Sequence, residues 1–261
     1  MNRIRRNYML EDLLNDKTLS LEQKFKQYRN LIFLGVILAI VGMLSHIVVI
    51  ATGSMANQPA FIEVLSILMI GFGGALAKFA NKHYNILKSG LHGEKRTETL
   101  LNQLKGEYEI LTNVNIHHDG RRTELDSLVI GPNGVFLVES KNVKGKISGR
   151  TDDQTYRKVS ISSSGNTYES TMNNPVRQIN RAIIILKNYL QEENGLHTYI
   201  QGILYFSNPE TTVKIENTSN VQIFSAAEHN GKDLISYVKN YQPKKPLTAK
   251  DIQQIKQALT H

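Results

Sequence analysis

A mixed-sheet α/β domain preceded by a membrane-spanning helical hairpin is the architecture that this 261-residue sequence predicts. Three features predict it. Residues 31–77 carry one formal charge, Glu63, between flanks dense in Lys and Arg. Gly131, Pro132, Asn133 and Gly134 separate two β-rich runs, a strong hairpin signal. The periodicities of the remaining chain fall in the order helix, three strands, helix, strand.

Residues 1–30 form the first unit, a cytoplasmic amphipathic helix over 8–29 with Leu10, Leu13, Leu14, Leu21 and Phe25 as its apolar positions. It is expected to lie along the inner leaflet or against the soluble domain. The first span, 31–52, is 22 residues long, which at about 1.5 Å per residue is enough to cross a hydrocarbon core of about 30 Å. The second span, 60–80, carries Glu63 and Lys78 near its ends, where snorkelling is cheap. An uncharged turn, 53–59, joins them.

A cleaved signal peptide fits poorly, because the apolar run begins late and a second follows at once. Two buried core helices fit poorly too, because uncharged runs in tandem are unusual in a soluble domain. Arg3, Arg5, Arg6, Lys17, Lys24, Lys26 and Arg29 precede the first span, Lys82 and Lys88 follow the second, and the loop has neither Lys nor Arg. The positive-inside rule then predicts a multi-pass protein of the cell membrane with both termini cytoplasmic. His46 is an intramembrane polar group without an evident partner, and Gly71, Gly73 and Gly74 suit close helix packing better than a phosphate loop.

The soluble domain is expected over 90–241. Its elements are a helix at 93–105, strands at 108–116, 123–130 and 135–141, and a polar turn at 117–122. Residues 142–172 read as loop, with Ser160–Ser164 and Gly165 at a loop or hairpin tip. Asn173 or Asn174 caps the next helix, Pro175 sits in its first turn, and Val176, Ile179, Ile183, Leu186 and Leu190 form its apolar face up to Gly195. Strands at 199–206 and 221–224 and a helix at 232–240 follow. A helix at 248–260 is read as a separate C-terminal segment, 242–261.

The formal net charge is +8, and residues 81–261 carry 23 basic and 18 acidic side chains. That balance suits a polyanion or an anionic membrane surface. The chain has no Cys, which excludes a disulfide framework and agrees with a reducing compartment.

The hairpin carries the chemistry. If Ile130 faces Val135, Asp126 lies opposite Glu139, with Cβ atoms about 5 Å apart. Lys141, two residues beyond Glu139, points to the same face. Leu128, Ile130, Val135 and Leu137 make the rest of that face apolar. Two carboxylates there call for a tight ion pair or a metal ion. Mg²⁺ suits one or two carboxylates plus waters, and Lys141 beside it could help activate water against a phosphodiester. His117 and His118, adjacent on a strand, point apart and do not suit a shared ion.

Gly93-Glu94 opening a helix, Leu125-Asp126 on a strand, Gly134 to Asn142 with Glu139-Ser140-Lys141, then Gly145, and Asn174-Pro175 leading to Gln178 resemble the nuclease-related domain (NERD) family. That family lies within the PD-(D/E)XK restriction-endonuclease-like superfamily, although Leu125 stands where the superfamily name has Pro. The resemblance covers about residues 90 to 225. It implies a restriction-endonuclease-like α-β-β-β-α-β core. It also implies a nuclease using Mg²⁺ (or Mn²⁺), with Asp126 and Glu139 as metal ligands, Lys141 as the catalytic lysine, and Glu94 and Gln178 at further motif positions.

Arg121, Arg122, Lys144, Lys146, Arg150, Arg177 and Arg181 flank these positions and are candidate phosphate contacts. The expected function is membrane-anchored phosphodiester hydrolysis at the cytoplasmic face, on DNA rather than RNA, with the lipid bilayer as second partner and homo-oligomerisation left open. The alternatives are a catalytically silent membrane-anchored module that binds nucleic acid or protein, and a scaffold that acts through its membrane helices.

Overall fold

The computed structural model describes residues 2–51, 60–104, 106–162 and 165–260; for 2–22 and 60 it describes the backbone alone. The chain divides into two compact units, Asn15–Ser89 and Gly90–His261 with Met1–Leu14. Helix α1 spans Asn2–Ala51 and helix α2 spans Ala60–Leu101. The expected helix 8–29 and first span are therefore one continuous helix, and the expected helix at 93 continues the second span. No proline lies within either stretch, so nothing removes a backbone donor or forces a kink. Gly90 and Gly93 are accommodated inside α2 where it runs on past the second span.

Within Asn15–Ser89 the two helices pack antiparallel. A Cβ on Gly35 would lie 2.6 Å from the Gly73 carbonyl, one on Gly73 would lie 2.5 Å from the Gly35 carbonyl, and one on Gly42 would lie 2.7 Å from the Ser66 carbonyl. Ser66 Oγ donates to Ser45 Oγ at 2.9 Å across the seam. Gly73 meets the expectation of close packing, whereas Gly71 and Gly74 face open space. Both helices are long and apolar enough to cross a membrane. Phe33, Ile37, Leu44, Ile47, Phe61, Leu65, Leu68 and Phe72 are exposed on their outer faces, an apolar surface of the kind that marks a membrane or protein interaction site.

The second unit is built on a five-stranded mixed sheet of order β1-β2-β3-β7-β9, with β1 at Glu109–His118, β2 at Arg121–Gly131, β3 at Gly134–Lys141, β7 at Ile200–Phe206 and β9 at Gln222–Ser225. The first three strands are antiparallel, and β7 and β9 run parallel to β3. The 117–122 turn is narrower than expected. Asp119 (φ +48) and Gly120 (φ +66) alone make it, the positive-φ pair of a two-residue hairpin, so His117, His118, Arg121 and Arg122 belong to strands.

Helix α3 (Pro175–Asn188) and helix α5 (Ala249–Thr260) cover one face of this sheet, burying Val176, Ile179, Leu186, Ile255 and Leu259 against Leu128, Ile130, Val135 and Leu137. The end of α2 and helix α4 (Lys232–Asn240) cover the other, where Leu100, Leu101, Leu104, Leu234 and Val238 meet Val129, Phe136 and Val138. Thus α5 shares the main core. At the β2–β3 tip, Asn133 Nδ2 donates to the Val238 and Lys239 carbonyls at 3.0 and 2.6 Å, closing the end of α4.

A second sheet occupies most of the segment expected to be loop. Its order is β6-β5-β4-β8, with β4 at Gly145–Arg150, β5 at Thr155–Ile161, β6 at Thr167–Asn173 and β8 at Thr211–Glu216. Only one face of it is apolar, and only Ile147 in β4 and Tyr156 in β5 are fully buried hydrophobics. Residues 160–165 form the β5–β6 tip, as expected; Ser163 and Ser164 lie outside the described residues.

Candidate active site

Strands β2 and β3 keep the expected register, from Ile130 opposite Val135 to Ser127 opposite Val138. The next step sets Asp126 against Glu139. There the ladder gives way, and Asp126 Oδ2 accepts the Ser140 N–H at 2.9 Å. On the other side of β2 the β1 pairs stop at Thr112–Ser127 and resume at Val114–Leu125, with Asn113 at φ +55 between them. The alternation inverts across this point: Leu111 and Leu128 on one side, and Val114 and Leu125 on the other, join the same core. Asp126 therefore sits where both ladders are interrupted, a local irregularity that can re-aim a side chain. Strict alternation along the strand did not anticipate it.

Glu139 is 3% exposed. Lys141 Nζ donates to Glu139 Oε1 at 2.6 Å and to Gln178 Oε1 at 3.2 Å, and Gln178 also hydrogen-bonds the Glu139 carboxyl. Burial, followed by the neighbouring Asp126 charge, pushes the Glu139 carboxyl up to about 7, against partial relief from Lys141 and Gln178. Gln178 is on α3, and Asn174 fixes where that helix starts. Its Oδ1 accepts the Val176 N–H at 2.8 Å, while its Nδ2 donates to the Thr151 and Asp153 carbonyls at 3.0 and 2.7 Å. The cap thus ties α3 to the β4–β5 turn, a second role that the capping signal alone does not reveal.

Residues 89–207 match the family model of NERD, the nuclease-related domain. This segment is similar to the nuclease-related domain family. An uncharacterized protein of Bacillus anthracis is 34% identical over 90 residues, which are 34% of this chain and 42% of that protein. The chain therefore spans less than half the length of this relative. No solved structure matches the chain.

Around Asp126, Glu139, Lys141 and Gln178, the other expected residues fall unevenly. Glu94 is half-buried on α2. It follows Gly93, where a Cβ would lie 2.5 Å from Asn142 Cβ and 2.9 Å from Ser207 Oγ, so it stands near the end of β3. Arg177 and Arg181 are exposed on α3, one residue before and three after Gln178. Arg121 and Arg122 are exposed at the far end of β2, with Arg122 roughly 13 Å along the strand from Asp126. Lys144 pairs with Glu210 at 2.6 Å, and Arg150 pairs with Asp152 and Glu216 at 3.1 and 3.3 Å; Lys146 is exposed on β4.

His118 turns away from His117. Its Nδ1 meets Glu193 Oε1 at 2.9 Å and its Nε2 meets Glu192 Oε2 at 3.2 Å, clamping β1 to the π-helical turn Tyr189–Glu193 that follows α3. Thr97 Oγ1 and Ser140 Oγ lie 2.7 Å apart, and Ser140 Oγ donates to Ser207 Oγ at 3.3 Å. This hydroxyl chain steadies the residue between Glu139 and Lys141.

Among the described residues, no group of three or more His, Cys, Asp or Glu is placed to hold a metal ion. The donor set at the hairpin is two carboxylates, one of them driven toward protonation first by its burial and then by the charge of the other. Such a pair fits a small divalent cation that keeps several waters.

Proposed function

We propose that the chain is a membrane-anchored, metal-dependent nuclease with a restriction-endonuclease-like core, acting on DNA in preference to RNA at the cytoplasmic face. The observation that carries this reading is Lys141 Nζ bridging the buried Glu139 and Gln178, next to the Asp126 carboxylate, inside a nuclease-related domain. Asp126 and Glu139 would hold Mg²⁺ or Mn²⁺, which when bound supplies Lewis-acid stabilisation and a more acidic water. Lys141 holds its ammonium at the mouth of the site, where a phosphate oxygen can meet it. Gln178 orients Lys141 and Glu139 together, and Arg177 and Arg181 supply positive charge for the flanking backbone. The exposed apolar faces of α1 and α2 support the anchor.

Full-length protein in detergent, given single- and double-stranded DNA and RNA, should cut DNA with Mg²⁺ or Mn²⁺ and stop on chelation. Glu139→Ala and Lys141→Ala should each lower the rate about a hundredfold or more. Unchanged cutting by Glu139→Ala would remove this mechanism. The second reading, a silent binding module, draws on the presence of only two convergent carboxylates. Salt-sensitive DNA binding without cutting in either metal would favour it.

A further inference from the structure

Where α1 and α2 meet near residues 25–34, the helical hairpin presents a surface suited to one chemistry. From Glu22 to Gly93 the sequence has six cations, Lys24, Lys26, Arg29, Lys78, Lys82 and Lys88, and two acids, Glu22 and Glu63. Glu63 lies in the first turn of α2, at the opposite end of the antiparallel pair, roughly 30 Å away by helix rise from Tyr84. Tyr84 packs edge-on against Phe25 with ring centroids 5.2 Å apart, and His83 stacks on Tyr28 at 5.4 Å. This is an aromatic girdle of the kind found at a headgroup boundary.

On the same stretch of α1, a groove of about 370 Å³ is lined by Gln23, Lys26, Gln27, Asn30, Leu31 and Leu34. These positions share one helix face at spacings of three and four. The groove changes character along its length: one ammonium and three amides at one end, two leucines at the other. The change falls at Leu31, where the uncharged span begins.

Amide and ammonium donors match a phosphate and its glycerol oxygens, and leucines match the first acyl carbons. Glu22, four residues before Lys26 on α1, offsets one of the six cations at this end, and the positive charge that remains favours an anionic partner. We propose that this groove is a binding site for an anionic glycerophospholipid of the cytoplasmic leaflet, with Lys26 contacting the headgroup phosphate. The proposal rests on the membrane-anchored reading above and is independent of nuclease chemistry.

The chain has no Trp, so a single introduced Trp reports its local lipid. Full-length Leu34→Trp would be reconstituted into bilayers containing brominated phosphatidylglycerol or brominated phosphatidylcholine. Quenching by the anionic lipid should exceed quenching by the zwitterionic one about fivefold in relative affinity. Adding Lys26→Ala should bring the ratio close to one, and Lys26→Arg should retain it. Phe33→Trp, off the groove at similar depth, should show little preference. Equal quenching by both lipids at Leu34→Trp, or the same anionic preference at Phe33→Trp, would overturn the site while leaving the anchor intact. No quenching by either lipid would overturn the membrane reading itself.

Discussion

Glu139 concentrates the electrostatics of the site. Its carboxyl is pushed from an ordinary 4.5 up to about 7, first by burial and then by Asp126. A raised carboxyl pKa means that the native state keeps a proton which the unfolded chain releases near 4.5. Without divalent metal, stability should therefore be greatest below that value, fall as the pH rises from 4.5 to 7, and level off above. The fall is roughly 3 kcal/mol at most. Denaturant unfolding followed by circular dichroism across this range measures it; Glu139→Gln should flatten the dependence, and an unaltered slope would show that another group is responsible. Mg²⁺ affinity should rise about tenfold per pH unit up to 7, as binding displaces one proton, and calorimetry in two buffers reads that proton release. The Glu139–Lys141 spacing and the β2–β3 register as far as Ser127 opposite Val138 were legible in the sequence. The shift was not, because it depends on burial that no local pattern encodes.

Two elements owe their placement to single asparagines. Asn174 is 4% exposed and makes three hydrogen bonds that join the α3 start to the β4–β5 turn. Asn174→Ala should cost roughly 2 kcal/mol, combining a lost cap with stranded carbonyls, and should lower cutting by misplacing Gln178. Chemical denaturation and a cleavage assay together separate the two effects; full stability with lost cutting would assign Asn174 a direct role. Asn113, at φ +55, holds the strand break beside Asp126. Asn113→Gly should be near neutral, whereas Asn113→Val should cost about 1–2 kcal/mol; equal stability of the two would show that the break relaxes at no cost. The cap was readable from Asn-Pro before an apolar period. The break was not, since nothing in the flanking sequence marks where an alternation inverts.

For the whole molecule, the decisive question is whether the hairpin spans a bilayer as a packed pair. The protein should remain in the membrane pellet through alkaline carbonate extraction, and release into the supernatant would remove the anchor. Ser45 and Ser66 touch across the pair and the chain has no Cys, so Ser45→Cys with Ser66→Cys should form an intramolecular disulfide on mild oxidation. Gly73→Leu should abolish that bridge, because its side chain would meet backbone at 2.5 Å, whereas Gly74→Leu, facing open space, should retain it. Bridging in both backgrounds would show that the helices are not held by this seam.

The sequence by itself determined whatever follows from strong, short-range periodicity. That includes the two apolar spans, the β2–β3 hairpin with its register, the capped α3 with its apolar face, and α4 at Lys232–Asn240. The tertiary structure alone decided the rest. It continued each span into a long helix, built a second sheet from strands with too few apolar residues to declare themselves, and placed α5 in the main core. It also brought Gln178 onto Lys141. Each of these is settled by contacts between residues far apart in the chain, where the free energy lies in burial and hydrogen-bond closure and leaves no local trace.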